Sequence, residues 1–193
     1  MRNLLHVVFW LTLTVWITLV VAPGLTGMTA FGALQDQEVS VARYADYFAG
    51  DEEGMRRLTA GLIADPIFRW TSRVQWVLAP LALVVCLIEL RTMRWMPGWS
   101  RWGRVWLVGG AFALVIYHNL ETGPAMQHEL ETYREAAAAL DRPTSEAAHE
   151  RFETLHRGAE RLYTARLLLL VGAVAGTAAG TAAGGARRSR RGT

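Results

Sequence analysis

The chain has 193 residues, and its 52% hydrophobic and 19% charged residues exclude intrinsic disorder, which needs low hydrophobicity and high net charge. All 20 basic residues are arginine, and they cluster beside apolar segments, so the net charge of +3 favours a membrane over nucleic acid as the partner. The single cysteine, Cys86, excludes an intramolecular disulfide and a cysteine-based zinc cluster.

Apolar stretches of helical length predict transmembrane spans. A helix needs about 20 apolar residues to cross a bilayer. The second and third stretches are shorter and borrow flanking residues such as Trp70 and Trp102. A signal peptide is the alternative for the first stretch, but its apolar run is longer than usual for one. The predicted spans are residues 4–22, 74–90, 105–120 and 167–186.

The predicted fold is therefore an all-α membrane protein: one transmembrane domain over 1–193 with four spans and outer loops at 23–73 and 121–166. Arginine placement orients it, because short arginine-rich loops stay in the cytoplasm. Both long loops are acidic, so we expect them outside and both termini inside, in the inner membrane of a bacterium. Tryptophans at the inner link mark the interface there: Trp95, Trp99, Trp102 and Trp106. The arginines on the inner side are Arg2, Arg91, Arg94, Arg101, Arg104, Arg187, Arg188, Arg190 and Arg191.

The first outer loop contains helix signals. Apolar residues at helical spacing predict that span one continues past Pro23. The run Asp51–Gly54 is typical of a turn or a helix start, and Asp65 followed by Pro66 predicts the start of the helix that enters span two.

The second outer loop predicts an extracytoplasmic helical hairpin between spans three and four. An apolar stripe runs along its first helix, residues 141–143 break the helix, and a second helix runs unbroken over about 145–185 into span four. The stripe consists of Met126, Leu130, Tyr133, Ala137 and Leu140.

Span four carries one glycine every four residues, a pattern that lets helix backbones approach closely in lipid. Its partner is either span one of the same chain or another subunit. The predicted packing residues are Gly172, Gly176, Gly180 and Gly184.

Histidines are the candidate metal ligands. His118 and His156 are predicted at similar depth near the outer ends of spans three and four, where they could ligate haem iron or copper, or else hydrogen-bond neighbouring loop carbonyls. Pairs spaced Glu-x-x-His or His-x-x-Glu could also hold a metal, or form only a solvated acidic face. These pairs are Glu146 with His149, Glu153 with His156, and His128 with Glu131.

Two further polar residues lie at span ends. Glu89 is an acidic residue at the edge of span two, which makes it a functional hypothesis; an interfacial ion pair with Arg91 or Arg94 is the simpler interpretation. Asn119 follows span three as a second buried polar candidate. His6 is predicted at the inner end of span one, away from the other histidines.

The order of these features resembles the transmembrane protein 205-like family, a four-span domain of unknown biochemistry. The resemblance covers about 4–180 and rests on three segments together with Asn119 and Pro124. Its sharpest motif is Phe-x-x-Leu-His before span four, formed by Phe152, Leu155 and His156. A related anthrone-oxygenase-like family has similar landmarks. The three segments are Val20–Leu25, Ala60–Phe68 and Phe152–Gly158.

Three functions follow as expectations. The leading one is a non-enzymatic membrane protein, an accessory or structural subunit of a larger complex such as a respiratory or photosynthetic one, that packs on other membrane subunits through span four or the outer loops. The second is a metal- or haem-binding protein that uses His118 and His156. The third is a small transporter or an oxygenase-like enzyme. The first leads because no buried polar relay is evident in the spans, and no phosphate-loop, nucleophile-elbow or zincin motif indicates an enzyme.

Overall fold

The computed structural model describes residues 2–35, 37, 40–92 and 96–189, with side-chain surroundings from residue 4 to residue 183. These residues form helices and no strand. A 3₁₀ turn at Ala42–Tyr44 and a π-helical turn at His118–Thr122 accompany them. The α-helices are α1 (Arg2–Leu34), α2 (Glu52–Thr92), α3 (Gly98–Tyr117), α4 (Gly123–Ala138) and α5 (Arg142–Ser189).

Three segments are long and apolar enough to cross a membrane: Leu4–Leu34, Glu52–Thr92 and Arg142–Ala183. They lie in α1, α2 and α5 and agree with the expectation of an all-α protein with membrane-spanning helices. The predicted third span lies in α3, which is not among them because Arg101 and Arg104 lower the hydropathy of its first half. That the chain crosses the membrane four times stays a prediction.

The helix boundaries confirm some local predictions and correct another. Helix α1 continues through Pro23, and α5 is one helix, both as predicted. The expected helix start at Asp65 is wrong, because α2 already begins at Glu52 and runs on through Pro66. Asp51 supplies the start signal instead: its Oδ1 accepts a 2.9 Å hydrogen bond from the Gly54 backbone N–H.

Helices α3 and α4 are joined without a break by the π-helical turn. The Gly123 N–H donates to the carbonyl of His118, five residues earlier. A methyl group at Gly123 would lie 3.0 Å from that carbonyl oxygen, so glycine relieves the close approach. This turn places His118 and Thr122 in buried positions.

The first of two compact units comprises Met1–Val20, Arg73–Ile116 and Tyr163–Thr193. Aromatic and aliphatic side chains fill its core, with Phe9, Leu13 and Trp16 fully buried. Its outward side chains are also apolar: Val77 is 66% exposed, Leu168 68% and Trp106 76%. Apolar side chains on both the inside and the outside are what a unit surrounded by lipid requires.

The second compact unit comprises Val21–Ser72 and Tyr117–Leu162. Within it α4 and α5 lie against each other. Arg151 Nε donates a 2.8 Å hydrogen bond to Glu129, and the ring centroids of Tyr133 and His149 are 5.0 Å apart. A small core lies nearby, and burial raises the pKa of Tyr133 to about 12, with smaller contributions from Tyr47 and Asp51. The buried members of this core are Tyr44, Tyr47, Phe48, Met55, Leu58 and Ala137.

The end of α4 departs from the predicted apolar stripe. Leu140 lies after the helix with a φ of 61° and is 56% exposed. The Asp141 N–H donates a 2.9 Å hydrogen bond to the carbonyl of Ala136, a left-handed helix cap that usually carries glycine. Leu140 is therefore part of the turn after α4 and does not belong to the apolar face of the helix.

Candidate functional site

The first buried polar network of the first unit centres on Glu89. Its carboxylate accepts a 2.7 Å hydrogen bond from Nη1 of Arg104, and both side chains are fully buried. Its other oxygen lies 3.1 Å from Nδ1 of His6, a side chain that is 27% exposed. Three helices, α1, α2 and α3, therefore each contribute one ionisable group to the same contact.

The hydrogen bonds around His6 assign its tautomer. Nε2 of His6 accepts a 3.1 Å hydrogen bond from the indole N–H of Trp10, and Nδ1 faces the Glu89 carboxylate. A nitrogen that accepts carries no proton, so the proton is on Nδ1, which donates to Glu89. The Glu89 charge is balanced by Arg104.

Arg104 also lies over an aromatic ring. Its guanidinium carbon is 5.1 Å from the centroid of Phe9, a fully buried residue of α1. A cation over a ring face is stabilised where water is excluded. The guanidinium thus contacts α1 through Phe9 and α2 through Glu89.

This geometry differs from the expected interfacial ion pair. Glu89 pairs with Arg104, which is 15 residues away, whereas Arg91 is exposed on the opposite side of the last turn of α2 and Arg94 lies outside the described residues. Glu89 is fully buried, as expected for a buried polar candidate, and its contacts with Arg104 and His6 form a polar network that was not evident from the sequence of the spans. Spacing along one helix suggested the local partner, but a buried carboxylate requires a partner that is buried with it.

The second buried polar network joins Trp16, Gln75 and Arg166. Oε1 of Gln75 accepts a 2.6 Å hydrogen bond from Arg166 and a 3.3 Å hydrogen bond from the indole N–H of Trp16. Arg166 also donates to the carbonyl of Leu114 at 3.2 Å and lies 4.8 Å from the ring centroid of Tyr163. All three network side chains are almost completely buried. The network connects α1, α2, α3 and α5.

Sequence reasoning missed this second network. The predicted outer loop 121–166 ends at Arg166, and the pattern assigns no role to Gln75 inside span two. A glutamine within an apolar run was the available signal, because a buried amide needs hydrogen-bond partners. Among the ion pairs of the described residues, Arg166 has no carboxylate partner, so its charge is stabilised by an amide, a carbonyl and a ring.

The proposed histidine ligands lie in the second unit. His118 is buried in the π-helical turn, and Asn119 is half-buried beside it. His156 is half-buried, and its recorded contacts are within α5: its ring stacks on Phe152 at 5.6 Å, and Nε2 lies 3.4 Å from Glu160. His118 and Asn119 each have an interaction partner in the structure. Joint ligation of a metal or haem by His118 and His156 stays a prediction, as does a partner for His156 on another outer segment.

The spaced carboxylate and histidine pairs show no metal geometry either. In the ranges that the structure describes, no group of three or more His, Cys, Asp or Glu side chains could hold a metal ion. His149 contacts Tyr133, and His128 is exposed. These residues contribute to the packing of the second unit and to its surface.

The glycines of α5 face α3 at two positions. A methyl group at Gly180 would overlap the Ser100 hydroxyl, and one at Gly172 would lie 3.5 Å from Leu107. At Gly176 the added atom would meet nothing within 4 Å, but the carbonyl of Gly176 accepts a 2.7 Å hydrogen bond from Ser100. Gly184 lies beyond the residues whose side-chain surroundings are described. The neighbour of Gly172 and Gly180 is therefore α3, not span one.

Comparisons with known proteins supply no relative: no family model, no curated protein and no solved structure matches the chain. The resemblance to the transmembrane protein 205-like family stays a sequence-based prediction.

Proposed function

We propose that the chain is an integral membrane protein of four spans. The fourth is α3, whose composition alone does not identify it as a transmembrane helix. Helix α3 has 20 residues, which corresponds to about 30 Å, the thickness of the hydrocarbon core. Arg104 lowers its hydropathy, but the pairing of Arg104 with Glu89 offsets the cost of placing that charge in lipid. The exposed side chains of α3 include Trp99, Trp102 and Trp106, which suit an interface.

Four spans put both termini on the same side of the membrane, and the arginine distribution places that side in the cytoplasm and the α4–α5 hairpin outside. The test is thiol accessibility in intact cells, with buried Cys86 replaced by serine to lower the background. Cysteine at exposed Thr144 should react with a membrane-impermeant maleimide, and cysteine at exposed Arg91 should react only after the cells are lysed. Labelling of both positions in intact cells would mean that α2, and with it the four-span topology, is placed wrongly.

We further propose that the protein is a non-catalytic accessory subunit that assembles with a different membrane protein. The observation that carries this is the exposed part of α1 that belongs to the second unit. Its residues 21–34 contain no charged side chain, and Leu25, Met28 and Phe31 are 58%, 74% and 51% exposed. A methyl group at Gly24, Gly27 or Gly32 would meet nothing within 4 Å. An uncharged helical face with small residues is the kind that another membrane helix packs against.

Site-specific photo-crosslinking tests the accessory role. A photoreactive phenylalanine at Met28, in cells that express the protein at native level, should give one discrete adduct with a different protein. The same residue at Val77, an apolar position that is 66% exposed in the first unit, is the matched control and should give none. An adduct of twice the chain mass would replace the proposal with self-association, and lipid adducts alone would refute it.

A small transporter is the alternative that one observation favours. Glu89 is a buried carboxylate linked to a half-exposed imidazole, and ionisable groups inside the membrane often mark ion or proton pathways. Proteoliposomes with an internal pH dye distinguish the two functions. Proton flux that depends on the protein and is lost in the double variant Glu89→Gln/Arg104→Met, which leaves no buried charge unpaired, would favour transport, whereas an accessory subunit gives the same leak as empty vesicles.

Metal or haem binding by His118 and His156 is the weaker alternative: the described residues bring no third His, Cys, Asp or Glu that would complete a metal site, and a haem would rest on the two histidines alone. Metal analysis and absorption spectra of protein purified from native membranes test it directly. A stoichiometric metal or a haem band that His156→Ala removes would support it.

A further inference from the structure

Two arginines one turn apart on α3 reach the same turn of α2. Nη1 of Arg104 donates to Glu89 at 2.7 Å, and Nη1 of Arg101 donates to the backbone carbonyl of Leu90 at 3.1 Å. Side chains three positions apart on a helix are neighbours. Both guanidinium groups therefore bond to the last turns of α2, at two consecutive residues.

Each of these guanidinium groups has buried N–H groups without an acceptor. Nε of Arg101 and both Nε and Nη2 of Arg104 are shielded from solvent and reach no hydrogen-bond acceptor among the described residues. Arg104 is only 1% exposed. A buried donor left unsatisfied costs about 1–3 kcal/mol, and more when the group is charged. Three such nitrogen atoms on adjacent side chains indicate an acceptor that binds between them.

The local charge indicates that this acceptor is an anion. Two guanidinium groups, those of Arg101 and Arg104, bond to the end of α2, and Glu89 is the one carboxylate that pairs with them, through Arg104. The site therefore has one uncompensated positive charge. Guanidinium groups bind phosphate through paired N–H donors, because the spacing of the donors matches that of the phosphate oxygens.

The surroundings suit a headgroup at a membrane surface. Trp99 and Trp102 flank Arg101 on α3 and are 62% and 55% exposed, as expected for side chains at the level of lipid headgroups. Basic pockets between transmembrane helices bind anionic headgroups in other membrane proteins. We propose that Arg101 and Arg104 form a binding site for a phosphate anion, carried by an acidic phospholipid or free in solution.

Lipid titration of the purified full chain in non-ionic detergent tests this site. Phosphatidylglycerol, phosphatidylcholine and inorganic phosphate are added separately. The melting temperature is followed by tryptophan fluorescence, and bound lipids are counted by native mass spectrometry. A lipid ligand predicts that phosphatidylglycerol raises the melting temperature and stays bound, with little effect from the other two. A free-anion ligand predicts that inorganic phosphate alone reproduces the rise.

Variants assign the effect to the site. Arg101→Gln removes one donor group, keeps Glu89 paired with Arg104, and should weaken binding of the stabilising anion about tenfold, the loss expected for one charge-assisted hydrogen bond. Arg91→Gln also removes one positive charge, but from an exposed position on the last turn of α2, and should weaken binding of the stabilising anion only slightly. Equal weakening in both variants would mean unspecific charge attraction. No stabilisation of the parent chain by any of the three additions would mean that water alone satisfies these N–H groups. Either result would overturn the proposal.

Discussion

The Glu89 carboxylate accepts a 2.7 Å hydrogen bond from Nη1 of Arg104, and neither side chain is exposed. The two residues are on different helices, so the bond joins α2 to α3 inside the apolar core of the first unit. Desolvating two charges is costly, and the attraction between them offsets that cost only while both are present. The pair therefore makes the core depend on the correct mutual position of these helices.

Replacing one member of this pair should destabilise the protein more than replacing both members. Glu89→Gln leaves the Arg104 charge buried without its counterion and should lower the free energy of unfolding by about 3–5 kcal/mol. The double variant Glu89→Gln/Arg104→Met removes both charges and should recover most of that loss. Denaturant unfolding in detergent measures both. Glu121→Gln, at an exposed carboxylate, is the control and should have no measurable effect. A stable Glu89→Gln protein would contradict the burial of the pair.

Gln75 and Arg166 should behave as one energetic unit. Gln75→Met removes the acceptor that Arg166 and Trp16 share, and Arg166→Met removes the charge that needs it. A double-mutant cycle should therefore give an interaction energy of about 1–3 kcal/mol. Arg161→Met, at an exposed position five residues before Arg166, is the matched control. Its effect on the free energy of unfolding should simply add to that of Gln75→Met. Additive effects of Gln75 and Arg166 would show that the 2.6 Å contact contributes nothing.

The glycines of α5 should differ in their tolerance of a methyl group. Gly180→Ala places a carbon against Ser100 and Met96 and should destabilise the protein by about 1–3 kcal/mol through overpacking. Gly176→Ala has open space and should be neutral or slightly stabilising, because alanine favours a helix. Thermal unfolding of the two variants side by side is the measurement. A larger loss at Gly176 would mean that another subunit covers that position.

Tyr133 should ionise at a higher pH in the folded protein than in the unfolded chain. Burial raises its pKa to about 12, compared with about 10 for an unfolded tyrosine. Between these values the unfolded chain has released the proton that the folded chain retains, so the stabilising effect of the neutral Tyr133 is complete below pH 10 and is lost as the pH rises through 12. Absorbance at the tyrosinate band should show a late step that Tyr133→Phe removes. A single step near the ordinary pKa in both proteins would contradict the burial.

Local signals in the sequence were sufficient to predict most of the helices and which of them are apolar. The continuation of α1 through Pro23 and the unbroken α5 follow from hydrophobic periodicity, which acts within a few positions of the chain. The break between α4 and α5 was also expected, but it lies at residues 139–141 rather than 141–143, because α5 already begins at Arg142. The error at Asp65 has the same local origin: Asp followed by Pro favours a helix start, but α2 was already helical from Glu52, and packing of the turns on both sides keeps Pro66 within it.

The polar partners were decided only by tertiary structure. Arg91 and Arg94 follow Glu89 by two and five positions in the sequence. The partner of Glu89 is nevertheless Arg104, which lies on another helix. Gln75 is 91 residues away from Arg166, and no spacing rule connects them. A sequence pattern shows that a polar group lies in an apolar segment and must find a partner. Which partner it finds depends on how helices pack side by side, and that is set by the combined shapes of many side chains rather than by neighbours along the chain.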